Sequence, residues 1–143
     1  MKNIIKLVFS VTTFLWVSCV SPPEYSDGLI ENNPAIVNEV DYFSFSILAD
    51  GYTKEKKWDL NMALIESDIL LSTLIIKDLS ITSADSSFLY MINDQEDTVL
   101  TVGLFNEMVW SSLDSVFMVG IPKKVFFSSD NLSGRVEYQI LKR

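Results

Sequence analysis

Lys124-Val125-Phe126-Phe127-Ser128, then Ser129-Asp130-Asn131-Leu132-Ser133-Gly134, then Arg135-Val136-Glu137-Tyr138-Gln139-Ile140-Leu141 is the stretch on which the fold turns. In its last segment Val136, Tyr138 and Ile140 alternate with Glu137 and Gln139, the period of two that places apolar side chains on one face of a strand. The residues between the two apolar segments are turn formers. The pattern predicts two strands joined as a terminal β-hairpin.

The same period runs upstream. Phe43, Phe45 and Ile47 alternate with Ser44 and Ser46, and Trp58, Leu60, Met62 and Leu64 alternate with Asp59 and Asn61, so each reads as a half-buried strand. Ser72 to Thr82, rich in branched residues, and the apolar runs Phe88 to Ile92, Thr98 to Leu104, Met108 to Leu113 and Ser115 to Ile121 add further short strands. Glu55 to Asp78 is long enough for a helix, above all over Ser67 to Lys77; the alternation from Trp58 to Leu64 and the break at Ser67-Asp68 favour strands. About eight short strands predict an all-β domain, an antiparallel β-sandwich. An immunoglobulin-like arrangement fits that count, and a small closed β-barrel is the second choice.

The chain has 143 residues, 48% of them hydrophobic, with nine Phe and a formal net charge of −8. That composition suits one folded domain with a real core. Its acidity opposes phosphate backbones and anionic headgroups, so no nucleic-acid partner is expected.

At the amino end, Lys2 and Lys6 precede an apolar run from Leu7 to Val17, which leads into Trp16-Val17-Ser18-Cys19, the site of the only cysteine. This segment resembles the lipobox of bacterial lipoproteins: Val17, Ser18 and Cys19 match the pattern, and Trp16 stands where the family has a Leu-like residue. The run is too short for a membrane-spanning helix, which needs about 20 apolar residues. The resemblance implies a signal peptide over residues 1–18, lipid on Cys19 and a durable membrane anchor of two or three acyl chains. It leaves residues 19–38, with Pro22-Pro23, Ser26-Asp27-Gly28 and Asn32-Asn33-Pro34, as a flexible tether, and residues 39–143 as the domain. Loss of Lys2 and Lys6 would leave 19 acidic against nine basic residues, a charge of −10. Val20 after the cysteine, in place of Asp, points by the same resemblance to the outer membrane of a Gram-negative envelope, with the leaflet open.

The chain contains no histidine, which excludes Ser-His-Asp triads, Cys-His pairs and imidazole bases. It has neither a GxxxxGK[ST] nor a GxGxxG loop. No cofactor is expected.

Four acids, Glu66, Glu107, Asp114 and Glu137, are the material for a carboxylate pair of the kind that hydrolyses glycosides, although their spacing selects no two of them. Asp94, Glu96 and Asp97 offer hard oxygens to a calcium ion, but Asn93-Asp94-Gln95-Glu96-Asp97 lacks the order of an ion-wrapping loop and reads as a polar hairpin turn. Among the aromatics, Trp58 and Tyr138 share the parity of apolar neighbours and belong to the core, and Tyr52 and Tyr90 are further candidates for stacking. Trp110, between Val109 and Ser111, is the one expected to be exposed as a ligand contact. Asp97-Thr98-Val99 and Asp114-Ser115-Val116 resemble the O-glycosylation signal of Bacteroidota envelope proteins.

The expected function is that of a membrane-anchored, non-catalytic lipoprotein domain that binds a protein partner in the envelope. The alternative is a small-ligand or glycan binder, or a carboxylate hydrolase. A concave site with three or more aromatics and two facing acids would favour the alternative; a flat apolar patch or an uncharged free strand edge would favour protein binding.

Overall fold

The computed structural model describes residues 28–80 and 86–143. The segment expected to be a signal peptide, Cys19 and residues 19–27 of the expected tether lie outside the described residues. Among the described residues nine strands follow in order: β1 (Ala35–Asn38), β2 (Tyr42–Tyr52), β3 (Glu55–Asp59), β4 (Ile69–Ser80), β5 (Phe88–Asn93), β6 (Thr98–Gly103), β7 (Met108–Ser115), β8 (Pro122–Ser128) and β9 (Leu132–Lys142), with a helical turn, α1 (Val116–Val119), after β7.

They form two antiparallel sheets, a five-stranded one in the order β1-β2-β9-β4-β7 and a four-stranded one in the order β3-β8-β5-β6. The domain is the expected sandwich, and it does not close into a barrel. Its pairs are nested: β2 with β9, β3 with β8, β4 with β7, and β5 with β6. This is one long antiparallel hairpin rolled over on itself, the winding of a jelly roll rather than the immunoglobulin order.

The core lies between the sheets. Phe43, Phe45 and Ile47 of β2, Leu70, Leu74 and Ile76 of β4, and Val136, Tyr138 and Ile140 of β9 point inward from the first sheet and are buried. Leu89 and Met91 of β5, with Val125 and Phe127 of β8, meet them from the second. The Phe45 ring crosses the interface to lie 4.7 Å from Phe127 and 4.8 Å from Trp58. The Tyr138 hydroxyl reaches the Met91 sulfur at 3.7 Å, and burial pushes its pKa up.

Four expectations need correction. The strands at Lys124–Ser128 and Arg135–Leu141 exist but do not form a hairpin: β8 pairs with β3 and β5, and β9 with β2 and β4. The short turn between them carries the chain from one sheet to the other, which satisfies the inward parity of both strands equally well.

The alternation from Trp58 to Leu64 is real, but the strand ends at Asp59. Beyond it the chain crosses the mouth of the sandwich. Leu60, Met62 and Leu64 still point into the core, while the backbone bonds are irregular, Leu60 N–H to Lys123 O (2.8 Å) and Ala63 N–H to Val40 O (2.8 Å). Ser67 to Lys77 carries no helix, because β4 starts at Ile69 and its alternate residues Leu70, Ser72, Leu74 and Ile76 are buried.

Ser115 to Ile121 is not a strand. Val116 is buried, the following Phe117 and Met118 are exposed, and Gly120 ends the single turn of α1 with φ +77.

Finally, residues 35–38, expected to belong to a flexible tether, form β1 and pair with β2. Ahead of it Asn32 clamps Asp50 through two bonds, its side-chain amide donating to Asp50 O (2.8 Å) and its Oδ1 accepting from Asp50 N–H (2.9 Å).

The crossing segment is pinned by Asp68, which accepts from Ile65 N–H at 2.7 Å and pairs with the Lys142 ammonium at 2.9 Å. The Lys142 ammonium above all, and then the Ile65 N–H, hold its carboxyl below the usual carboxylate range. A depressed folded pKa means that the contribution is present above the unfolded value and is lost as pH falls through the folded one. Asp68→Asn should therefore lower the denaturation midpoint at neutral pH, and the gap to wild type should close as the pH is taken below the ordinary carboxylate range. A gap that persists in acid would show that Asp68 acts through shape, not charge.

Candidate functional site

Nearly every side chain singled out by chemistry is dispersed or engaged. Glu137 lies on the outer face of β9 and pairs with Arg135. Asp114 has the inward parity of β7, opposite buried Leu70, and accepts from the Ser112 hydroxyl at 2.5 Å. The first sheet thus stands between these two acids. Glu107 caps the Leu79 N–H at 3.2 Å, and Glu66 is exposed in the crossing segment, where its carbonyl accepts from Phe117 N–H.

Asn93-Asp94-Gln95-Glu96-Asp97 is the hairpin turn between β5 and β6. Buried Asn93 organises it, its Oδ1 accepting from Gln95 and Asp97 N–H (both 2.9 Å) while its amide donates to Val119 O (3.0 Å). The short side chain mimics the backbone of a turn, as Asn commonly does. Asp94 accepts from Ile121 N–H. Asp94 and Glu96 line a cleft of about 290 Å³ with Asp59, Lys123 and Lys124. Among the described residues no three His, Cys, Asp or Glu side chains converge on a metal site.

Trp110 was expected at the surface, and this needs correction. It faces inward on β7, opposite fully buried Leu74, and packs against the core. The parity of β7 exposes its neighbours instead: Val109 is 72% and Leu113 60% exposed. Trp58 and Tyr138 are core-packed as expected. Tyr52 is buried beside Phe127 at 6.2 Å, its hydroxyl without a hydrogen-bond partner among the described residues, and burial raises its pKa.

Tyr90 lies on the outer face of the second sheet, stacked on Phe126 at 4.4 Å with 4° between the rings. Phe88 and Lys56 join them around a cleft of about 160 Å³ with one acid, Glu55. Tyr90 and Phe126 present their faces to each other, which occupies the surfaces a sugar would stack on. The alternation in the sequence does not mark Phe88 and Phe126 as outward, because β5 is apolar on both faces and the adjacent Phe126 and Phe127 of β8 give no contrast between its two faces.

The sheet edges remain. At three of the four the strand is short or charged, or turns its apolar side chains inward. β1 has four residues, β3 carries Glu55, Lys56, Lys57 and Asp59, and β6 is uncharged but packs Val99, Leu100 and Val102 against the core. Charged side chains and shortness blunt an edge against pairing. β7 is eight residues long, holds Asp114 as its sole ionisable residue, and pairs only with β4 among the described residues. Its outward residues are Val109, Ser111 and Leu113. The apolar surface continues inward across the sheet, from Leu113 to Leu71, Leu141 and Tyr42 in one row and from Val109 to Ile75 in another.

No family model and no curated protein matches the chain. Among solved structures it is similar to the infectious bursal disease virus VP2 subviral particle, with 12% identity and a TM-score of 0.30 over 77% of this chain and 31% of that one. The chain thus spans less than a third of that protein, and a likeness so loose bears on neither fold nor function.

Proposed function

We propose that the chain is a lipid-anchored protein of the bacterial cell envelope whose non-catalytic jelly-roll domain binds another protein chain through the free edge of β7. The observation that carries the reading is that edge: eight residues with a row of backbone groups that no strand among the described residues pairs, carrying exposed Val109 and Leu113. Such an edge accepts an added strand, its main-chain bonds supplying affinity and its alternate side chains supplying specificity.

Anchoring at Cys19 rests on the lipobox resemblance. The nine steps from Cys19 to Gly28 reach at most about 30 Å when fully extended. The first described residues sit against Leu48 and Asp50, at the β2–β3 end of the sandwich. The anchored domain would therefore turn that end toward the lipid and leave the flank bearing β7 open to a neighbour.

Two measurements test the two halves. A palmitate analogue fed to cells should label the wild-type chain and not Cys19→Ala; equal labelling of both would remove the anchor. A photo-reactive residue in place of Leu113 should capture a protein chain in the intact envelope, whereas one in place of Lys56, on the charged edge of β3, should not. Absence of any capture at position 113 would remove the interaction.

A further inference from the structure

We infer that the chain bound at β7 is a second copy of this protein, joined antiparallel in the register that sets Ser111 against the partner's Ser111. The inference rests on the reading of β7 as an interaction edge and names its occupant.

The sequence of the strand, Met108-Val109-Trp110-Ser111-Ser112-Leu113-Asp114-Ser115, is self-complementary about Ser111 on its outward face. Two-fold pairing there places Val109 against the partner's Leu113, and Leu113 against the partner's Val109, so both exposed apolar residues of each copy meet one another. Directly opposed residues of an antiparallel pair lie on the same face with Cβ atoms about 4.5–5.5 Å apart, close enough for both pairs to pack. On the inward face the same register brings Ser112 beside the partner's half-buried Trp110. A two-fold axis at Ser112 would set Leu113 against a serine instead, and one at Leu113 would carry Val109 past the end of the partner's strand, opposite α1. Only the Ser111 register uses nearly the whole strand and matches both apolar positions.

Charge argues for the same occupant and place. A chain of net charge −8 repels its own copy, so a self-contact must fall where the facing surfaces are neutral. β7 meets that requirement because Asp114, its sole ionisable group, is turned inward to Ser112. In the Ser111 register the two copies of Asp114 stand six residues apart along the ladder, about 20 Å. That is beyond the screening length of about 8 Å at physiological salt. The product is an isologous dimer with one continuous ten-stranded sheet, a closed assembly that uses up the free edge.

Single cysteines in the full chain test it. On mild oxidation Ser111→Cys should give a disulfide-linked species of twice the chain mass, because only the residue on the two-fold axis meets itself. Val109→Cys and Leu113→Cys should not cross-link alone, and should cross-link when the two variants are mixed; wild type, with Cys19, measures the background. A charge exchange gives a second readout by sedimentation: Val109→Lys should convert dimer to monomer, and Val109→Lys with Leu113→Glu should restore the dimer by setting opposite charges face to face. Loss of self-linking at position 111, or linking at all three positions alike, overturns the self-pairing. If position 111 fails to self-link while the photo-reactive residue at 113 captures a different chain, the edge keeps its role and loses this partner; if nothing is captured, both readings fall.

Discussion

Phe45→Ala is expected to lower the unfolding free energy by about 3–5 kcal/mol, the usual cost of emptying a large aromatic from a packed core. Phe45 is fully buried and holds the two sheets together, in contact with Phe127 on one side and Trp58 on the other. Removing it leaves a void bounded by residues fixed in different sheets, which can collapse on it only if the sheets approach each other. Domains of this size are stable by only about 5–15 kcal/mol, so a large part of the total is at stake. The measurement is a denaturant titration, in which the midpoint should fall sharply with little change in slope. Val40→Ala, at a position 61% exposed and away from β7, should stay within about 0.5 kcal/mol. A Phe45→Ala loss below 1 kcal/mol would mean that the sheets do not meet there.

Gly134→Ala is the second large effect. Gly134 has φ +143, a conformation that residues with a Cβ adopt only under strain, costing about 1–3 kcal/mol. A Cβ there would also lie 3.0 Å from Leu79 Cα and 3.1 Å from the carbonyl oxygens of Asp78 and Lys77. All three are backbone atoms, at the irregularity where the β4–β9 register shifts between Lys77 and Ser80. They cannot rotate aside as a side chain would, and overpacking of this kind adds about 1–3 kcal/mol. A fall of several degrees in the thermal midpoint is expected. Gly28→Ala, at φ +77 with nothing within 4 Å of the added atom, separates the backbone strain from the clash and should cost less. Equal effects at the two positions would show that packing against β4 contributes nothing.

Much of this architecture was legible in the residues. Phe43, Phe45 and Ile47, and Val136, Tyr138 and Ile140, point inward as their alternation with polar neighbours requires, because one face of a half-buried strand must be apolar. The Asn93–Asp97 turn was legible for a local reason, since the two bonds that Asn93 Oδ1 accepts within it come from residues two and four positions on. Alternation failed as a guide where its cause was different. Leu60, Met62 and Leu64 alternate because they plug the end of the sandwich, in a segment that is not itself a strand. Trp110 was misplaced because its neighbours Val109 and Ser111 gave no polarity contrast from which to choose a face.

The residues by themselves determined that this chain is a sandwich of strands without histidine chemistry, and which side of most strands faces the core, because burial has the period of the backbone and both can be read locally. Tertiary structure alone decided which strands are neighbours. The apparent hairpin of β8 and β9 is divided between two sheets, since parity constrains the face of a strand and is silent about its partner. The same pairing left β7 at an edge and turned Val109 and Leu113 into surface, and an edge exists only as a property of the whole order of strands.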